Sequence, residues 1–142
     1  MRPSQPAARD GVARNSPPRY VERLPENTRA FIQRQEQTAD MLKRELMTAY
    51  TSFRYGDVVA KARTIVVRPE LPRDVRVQAA ILAGASEYLL GNRSEAEAWF
   101  RRAHLLDPGV RPNRSMFPDD IVRLYTVAIG GNPERNHVQG NR

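Results

Sequence analysis

The chain is short, basic and free of cysteine: its 142 residues carry a formal net charge of +7 at pH 7. This length allows one domain with a modest core and flanking tails, and the lack of cysteine excludes disulfide and thiolate chemistry. No uncharged apolar run reaches the roughly 20 residues that a membrane-spanning helix needs, and the N-terminus has no secretory signal. We therefore expect a cytoplasmic protein, either dissolved or bound at the cytoplasmic face of a membrane.

Residues 1–25 predict an extended arm outside the folded domain. They hold five of the eleven prolines and five arginines, but few large apolar residues and no helical periodicity. Such a composition cannot bury enough apolar surface to fold alone. We expect the arm to bind a partner, and the candidate residues are Arg9, Arg14, Arg19 and Tyr20.

A long helix is predicted from about Asn27 to Tyr55. Apolar residues recur every three or four positions along this stretch, which gives one buried face. Asn27 or Thr28 can cap its start, and Gly56 can end it. Because residues 33–38 are weakly apolar, the sequence allows one continuous or bent helix or two separate helices.

Three more helices follow before the last loop is reached. The first covers about 58–67 and is stopped by Pro69 and Pro72, and the second covers about 75–90 and ends at Gly91. The third begins at Ser94, which forms a predicted capping box with Glu97, and it ends before Pro108.

The C-terminal part predicts a loop, a last helix and a polar tail. Residues 109–117 form the loop, and the last helix covers 118–129, with proline and two acids at its positive end. Gly130 and Gly131 end that helix. The predicted organisation is therefore an arm (1–25), a helical domain (26–130) and a tail (131–142).

Two helical hairpins repeat with a period of 35 residues, seen between Gly56 and Gly91 and between Ala49 and Gly84. Helix–turn–helix units of this period are typical of solenoid arrays. The second unit resembles the tetratricopeptide (TPR) repeat at six positions, which are Gly84, Gly91, Ala96, Phe100, Ala103 and Pro108.

The resemblance covers about residues 42–110 and implies an all-α, short TPR-like solenoid. The first unit is degenerate, since its second helix is about one turn short, and both units lack the consensus tryptophan. The long first helix would lead the array, and residues 118–129 resemble a solvating cap helix.

The resemblance also implies a concave surface, formed by the first helix of each unit, that binds a peptide or a helix of another protein. Carried onto this chain, the partner-binding positions are Lys43, Leu46, Tyr50, Arg54, Gln78, Ile81 and Tyr88, with Ala85 beside them. The alternative is that Leu46 and Ile81 simply pack against neighbouring helices.

Little in the sequence points to catalysis. The two histidines, His104 and His137, have no partners at useful spacing, and there is no phosphate-binding loop or metal-ligand pattern. We expect no enzyme activity, cofactor, metal or small-molecule substrate. The high net charge leaves a nucleic-acid-associated basic protein as the alternative function.

The sequence thus predicts a non-catalytic scaffold or accessory subunit of a larger bacterial assembly. The host would be a membrane-associated complex, either a pilus or secretion machine or an energy-transducing complex. The helical array and the basic arm would both contact the protein partner, and anionic lipid would add attraction for the arm.

Overall fold

The computed structural model describes residues 24–131, which fold into five helices without a strand. The all-α prediction is therefore confirmed for this part of the chain. The predicted arm residues Arg9, Arg14, Arg19 and Tyr20 lie outside it, as does most of the predicted tail. The helices are α1 (Glu26–Thr51), α2 (Tyr55–Val66), α3 (Arg73–Leu89), α4 (Arg93–Leu106) and α5 (Asp119–Ala128).

The chain divides into two compact units after Thr38. In the first unit, the described residues form the start of α1, where the Thr38 hydroxyl donates a hydrogen bond to the Arg34 carbonyl oxygen at 2.8 Å. The helix begins at Glu26, ahead of both predicted capping residues, and it is a single helix. The predicted limits of arm, domain and tail stay predictions.

Helix α3 is the centre of the second unit. It packs against α2 on one side and α4 on the other, and α4 packs in turn against α5. An unbroken run from Ala79 to Glu87 is buried, and alanine and glycine supply five of its nine residues. Because small side chains leave room on every side, neighbouring helices approach α3 around most of its circumference.

Helices α3 and α4 pack closely at Gly84. A Cβ atom placed on Gly84 would overlap the ring of Phe100. Phe100 is fully buried and also contacts the ring of Tyr125 on α5, at a centroid distance of 5.4 Å. The aromatic ring of α4 thus fills the space that the missing Cβ leaves.

The helices α1, α3 and α5 end in the same hydrogen-bonding pattern. After α3, the amide of Gly91 donates to the Tyr88 carbonyl and the amide of Asn92 donates to the Glu87 carbonyl. This pair of bonds is the Schellman motif, which places one residue in the left-handed conformation. The same pair of bonds recurs after α1, around Phe53, and after α5, around Gly130.

The predicted end of α1 is wrong because Phe53, rather than Gly56, makes the turn. Phe53 has a φ of 63°, whereas the corresponding residues Gly91 and Gly130 have φ of 89° and 96°. Gly56 lies inside α2. The equivalent turn residues Phe53 and Gly91 are 38 positions apart, and Gly130 follows 39 positions later, so the turns do not keep the predicted 35-residue period.

The predicted capping box of α4 is also wrong. Asn92 occupies the N-cap position, and no side chain caps the helix. The Asn92 carbonyl oxygen accepts a hydrogen bond from the Ala96 amide at 2.9 Å, so the helix has already begun at Asn92 and Ser94 lies inside its first turn. Glu97 instead forms ion pairs with Arg93 and Arg101, at 3.2 and 3.9 Å.

Helix α5 starts one residue later than predicted. Pro118 is its N-cap residue, and Asp119 and Asp120 fill its first turn as expected. The predicted stop at Gly130 is confirmed by the Schellman bonds. None of the helices within residues 24–131 is both long and apolar enough to span a bilayer.

Candidate partner-binding cleft

An apolar cleft of about 260 Å³ lies between α3 and the loop that joins α4 to α5 (residues 107–118, the α4–α5 loop). Helix α3 supplies one wall and the loop supplies the other. The lining residues are Asp74, Val77, Gln78, Ile81 and Leu82 from α3, and Asp107, Val110, Arg111, Pro112, Asn113, Met116 and Phe117 from the loop.

The loop wall is held by local turns. The Asp107 carboxylate accepts the amide of Gly109 at 3.1 Å, and the Asn113 side-chain oxygen accepts the amide of Ser115 at 2.8 Å. These are Asx-type turns, in which a short polar side chain replaces a backbone acceptor. The Tyr125 hydroxyl, reaching from α5, donates to the Val110 carbonyl at 3.1 Å. The loop wall is therefore pre-formed.

The polar rim of the cleft begins at Asp74. Its carboxylate accepts a hydrogen bond from Lys43 Nζ at 3.0 Å, which ties α1 to the start of α3. This hydrogen bond is the main reason that the pKa of Asp74 lies below its ordinary value. Gln78 follows one turn later on α3 and is partly exposed at the rim.

A row of aromatic rings leads from the surface to the cleft. Phe53 contacts Tyr55 at a centroid distance of 6.2 Å, Tyr55 contacts Tyr50 at 5.6 Å, and Tyr50 contacts Phe117 at 5.8 Å. Burial raises the pKa of Tyr50, and the neighbouring Tyr55 raises it further. Phe117 is almost completely buried and forms part of the cleft wall.

Of the predicted partner-binding residues that fall within residues 24–131, the structure brings only Gln78 and Ile81 to the cleft. Ile81 is only 7% exposed, and Leu46 and Ala85 are fully buried. Lys43 reaches the rim through its bond to Asp74.

The other three predicted positions are engaged elsewhere. Tyr50 contacts Phe117, and exposed Arg54 pairs with Asp57 at 3.5 Å. The Tyr88 hydroxyl donates to Asp120 at 3.0 Å, and this bond is the main reason that the pKa of Tyr88 is raised. The chain's own α4–α5 loop and α5 thus cover part of the surface that was predicted to be open.

Sequence reasoning missed the contribution of the α4–α5 loop. Val110, Met116 and Phe117 form most of its apolar wall. The signal was present, since three large apolar residues fall within this twelve-residue loop, and large apolar residues are mostly found buried. Their arrangement against α3 depends on the tertiary fold, which spacing along the chain does not give.

A second pocket, of about 400 Å³, is lined by residues of α2 and α4 and by Val67, which follows α2. Trp99 lines this pocket, and the Arg102 guanidinium stands 5.3 Å from the centre of the Trp99 ring, within cation–π distance. Arg63 and Glu95 add charges of both signs to its wall. Because its wall carries charges of both signs and offers less apolar surface than the cleft, this pocket is a weaker candidate for docking a partner.

The cleft is suited to recognition by shape. Its volume is below the roughly 300–1,000 Å³ of small-molecule sites, and it would hold one or two apolar side chains. Within residues 24–131, no group of histidine or acidic residues could hold a metal ion.

Comparison with known proteins finds no match among family models, curated proteins or solved structures.

Proposed function

We propose that this chain is a non-catalytic protein-interaction module that docks a partner through the cleft between α3 and the α4–α5 loop. The observation that carries the proposal is the pre-formed apolar cleft, with Ile81 in its wall and the Gln78 amide at its rim. Fully desolvated apolar pockets with a polar rim are where interface residues gain most of their binding energy.

The proposal includes a TPR-like array as the scaffold. It is supported by the contact of Phe100 with Gly84, two of the six positions that resemble the repeat. It is also supported by the identical turn motifs after α1, α3 and α5. Arg123 stands 39 residues after Gly84, and the turn residues Gly91 and Gly130 are separated by the same 39 positions. Arg123 is therefore the residue of α5 that corresponds to Gly84 of α3, and it is exposed. A following helix could not approach an arginine as α4 approaches Gly84, so α5 suits the role of a cap.

In this proposal the chain serves as an accessory subunit on the cytoplasmic face of a bacterial, membrane-associated assembly. A pilus or secretion machine and an energy-transducing complex are both suitable hosts. The basic arm, with Arg9, Arg14 and Arg19, would extend the contact area and add attraction to anionic lipid.

The test is a native purification of the tagged full chain from its own organism, followed by mass spectrometry of the co-purified proteins. Gln78→Arg would place a charge and a longer side chain at the cleft rim, and we expect it to remove the stoichiometric partner. Thr64→Arg is the matched control, because it adds the same charge on the exposed face of α2. Equal recovery of the partner with both variants would reject the cleft as the docking site. Retention that nuclease abolishes would instead favour the nucleic-acid alternative.

A further inference from the structure

Phe53 is an exposed aromatic residue in a backbone conformation that favours glycine. Its side chain is 76% exposed, and its φ is 63°. The two equivalent turns after α3 and α5 use Gly91 and Gly130 at the same position. A bulky residue in the left-handed region is a genuine outlier. Among residues 24–131, the one aromatic neighbour of this ring is Tyr55, at the edge of the row, so the described fold gains little from it.

A groove with an excess of positive charge begins at the next residue. Arg54 lines it together with five residues from α1 and α2, and the whole set is Met41, Arg44, Glu45, Thr48, Arg54 and Lys61. Its volume is about 450 Å³. We call this set the basic groove.

The acids nearby neutralise the basic groove only in part. Lys61 lies 3.7 Å from Glu45, and Arg54 lies 3.5 Å from Asp57. Arg44 forms no ion pair with any residue of the described part of the chain. Met41, 46% exposed, adds apolar surface along the same wall.

We propose that Phe53 and the basic groove form a second docking surface, which binds an acidic segment of a partner protein that carries an aromatic or aliphatic anchor residue. Strained residues persist where function requires them, and exposed aromatic and arginine side chains are the residue types enriched in binding hot spots. The anchor would pack on Phe53, and a carboxylate beside it would pair with Arg54. A second carboxylate further along the segment would pair with Arg44, which stands nine residues before Phe53 in the chain.

Charge favours an acidic partner over a second copy of this chain. A symmetric dimer places the same surface on both sides of its interface. Arg44, Arg54 and Lys61 of one copy would then face the same three cations of the other, and like charges across an interface oppose binding. The proposal is independent of the cleft, because no residue of the basic groove lines it.

The experiment selects random 12-residue peptides displayed on phage against the full chain. We expect the enriched peptides to combine aspartate or glutamate with one large apolar residue. The best peptide is then titrated by fluorescence anisotropy against the wild type, Phe53→Gly and Arg44→Glu. Each variant should bind at least about tenfold more weakly, the loss expected for a hot-spot residue, and binding should weaken as salt rises.

Phe53→Gly separates binding from folding. Glycine suits the left-handed position, so its melting temperature should equal or exceed that of the wild type while binding is lost. Phe53→Asn, which also tolerates this conformation, is the second variant and should behave in the same way. Leu105→Ala is the control, because Leu105 is an apolar residue on α4 that is 81% exposed and lies outside the basic groove; its affinity for the peptide should be unchanged.

Several results would overturn the proposal. Enriched peptides without acidic residues would do so, as would an affinity that survives both Phe53→Gly and Phe53→Asn. A wild-type dimer in analytical ultracentrifugation that Phe53→Gly dissociates would identify a second copy as the occupant. If the chain bound a 20-nucleotide oligothymidylate tightly and Arg44→Glu abolished this binding, nucleic acid would be identified as the occupant of the basic groove instead.

Discussion

Gly84 limits what the interface between α3 and α4 can accept. In Gly84→Ala, the new methyl group would overlap the Phe100 ring. Overpacking of this kind costs about 1–3 kcal/mol, and each kcal/mol lowers the melting temperature of a domain of this size by about 4–8 °C. Calorimetry or circular dichroism on the purified variant measures the shift.

Gly56→Ala is the matched control for that substitution. Gly56 is inside α2, and no atom of residues 24–131 would lie within 4 Å of a Cβ placed there. Alanine should therefore stabilise the protein by about 0.4–1 kcal/mol.

The double substitution Gly84→Ala/Phe100→Leu should destabilise the protein by less than the sum of its two single substitutions, because leucine makes room for the methyl group. Simple additivity would contradict the close contact.

The bond between Lys43 and Asp74 predicts a pH dependence. Since the folded-state pKa of Asp74 is lowered from 3.8, its contribution to stability is complete well above that value and is lost as the pH falls through the folded-state pKa. The pair is largely exposed, so the contribution is at most about 1 kcal/mol. Urea unfolding of the wild type and Asp74→Asn should differ at pH 7 and converge in acid, well below pH 3.8.

Lys43→Met isolates the cause of that shift. Without the ammonium donor, the pKa of Asp74 should rise toward its ordinary value of 3.8, which a carbon-detected NMR titration of the carboxyl group can follow. A titration curve of Asp74 that is identical in the wild type and the variant would show that Lys43 does not hold the carboxylate.

Among single residues, the sequence indicated the role of Gly84 in close helix packing but not the role of Phe53 in the turn after α1. Gly84 was identified because a small residue at a repeat position has a packing reason. Phe53 was missed because an aromatic is a poor candidate for a left-handed turn, and Gly56, three residues later, is a better one by composition alone. The tertiary fold overrides the local preference here.

The α4–α5 loop is the element on which the proposed cleft depends. The Tyr125 hydroxyl helps to hold this loop by donating a hydrogen bond to the Val110 carbonyl oxygen. Tyr125→Phe removes this bond, which is worth about 0.5–1.5 kcal/mol. Amide exchange of Met116 and Phe117, whose amides donate to Asn113, should then be about 2–10 times faster.

Tyr88→Phe is the comparison for that measurement. It removes a hydroxyl hydrogen bond from α3 to Asp120 on α5 without touching the loop. Exchange at Met116 and Phe117 should remain at the wild-type rate. Equal acceleration in both variants would mean that the loop responds to α5 as a whole rather than to Tyr125.

Helix positions were predictable within a few residues where proline or glycine marks an end. α3 and α4 follow this rule, with Pro72 before one and Gly91 between the two. The capping box failed because Ser94 and Glu97 have the right spacing at the wrong place: Asn92 already begins the helix through its backbone carbonyl. The apolar wall of the loop could not be placed, since nothing local specifies which helix it contacts.

For the molecule as a whole, the proposed cap predicts the solution state. Asp119, Arg123 and Val127 stand at intervals of four on α5, and all three are exposed. Asp119→Leu/Arg123→Leu would join them into one apolar stripe, and a cap that loses its polar face should self-associate. Sedimentation velocity should show dimers or larger species in the variant. Asp119→Asn/Arg123→Gln, which removes the same charges but stays polar, should keep the oligomeric state of the wild type.

The turn at Phe53 also has an evolutionary consequence. Glycine would relieve a conformational cost of about 1–2 kcal/mol at this position. Selection for stability of the fold alone would therefore replace the aromatic residue. A population of variants grown under heat stress, without any requirement for the proposed acidic partner, should accumulate glycine or asparagine at residue 53. If binding of that proposed partner is essential, the same population should keep the ring and recover heat resistance through changes at other positions.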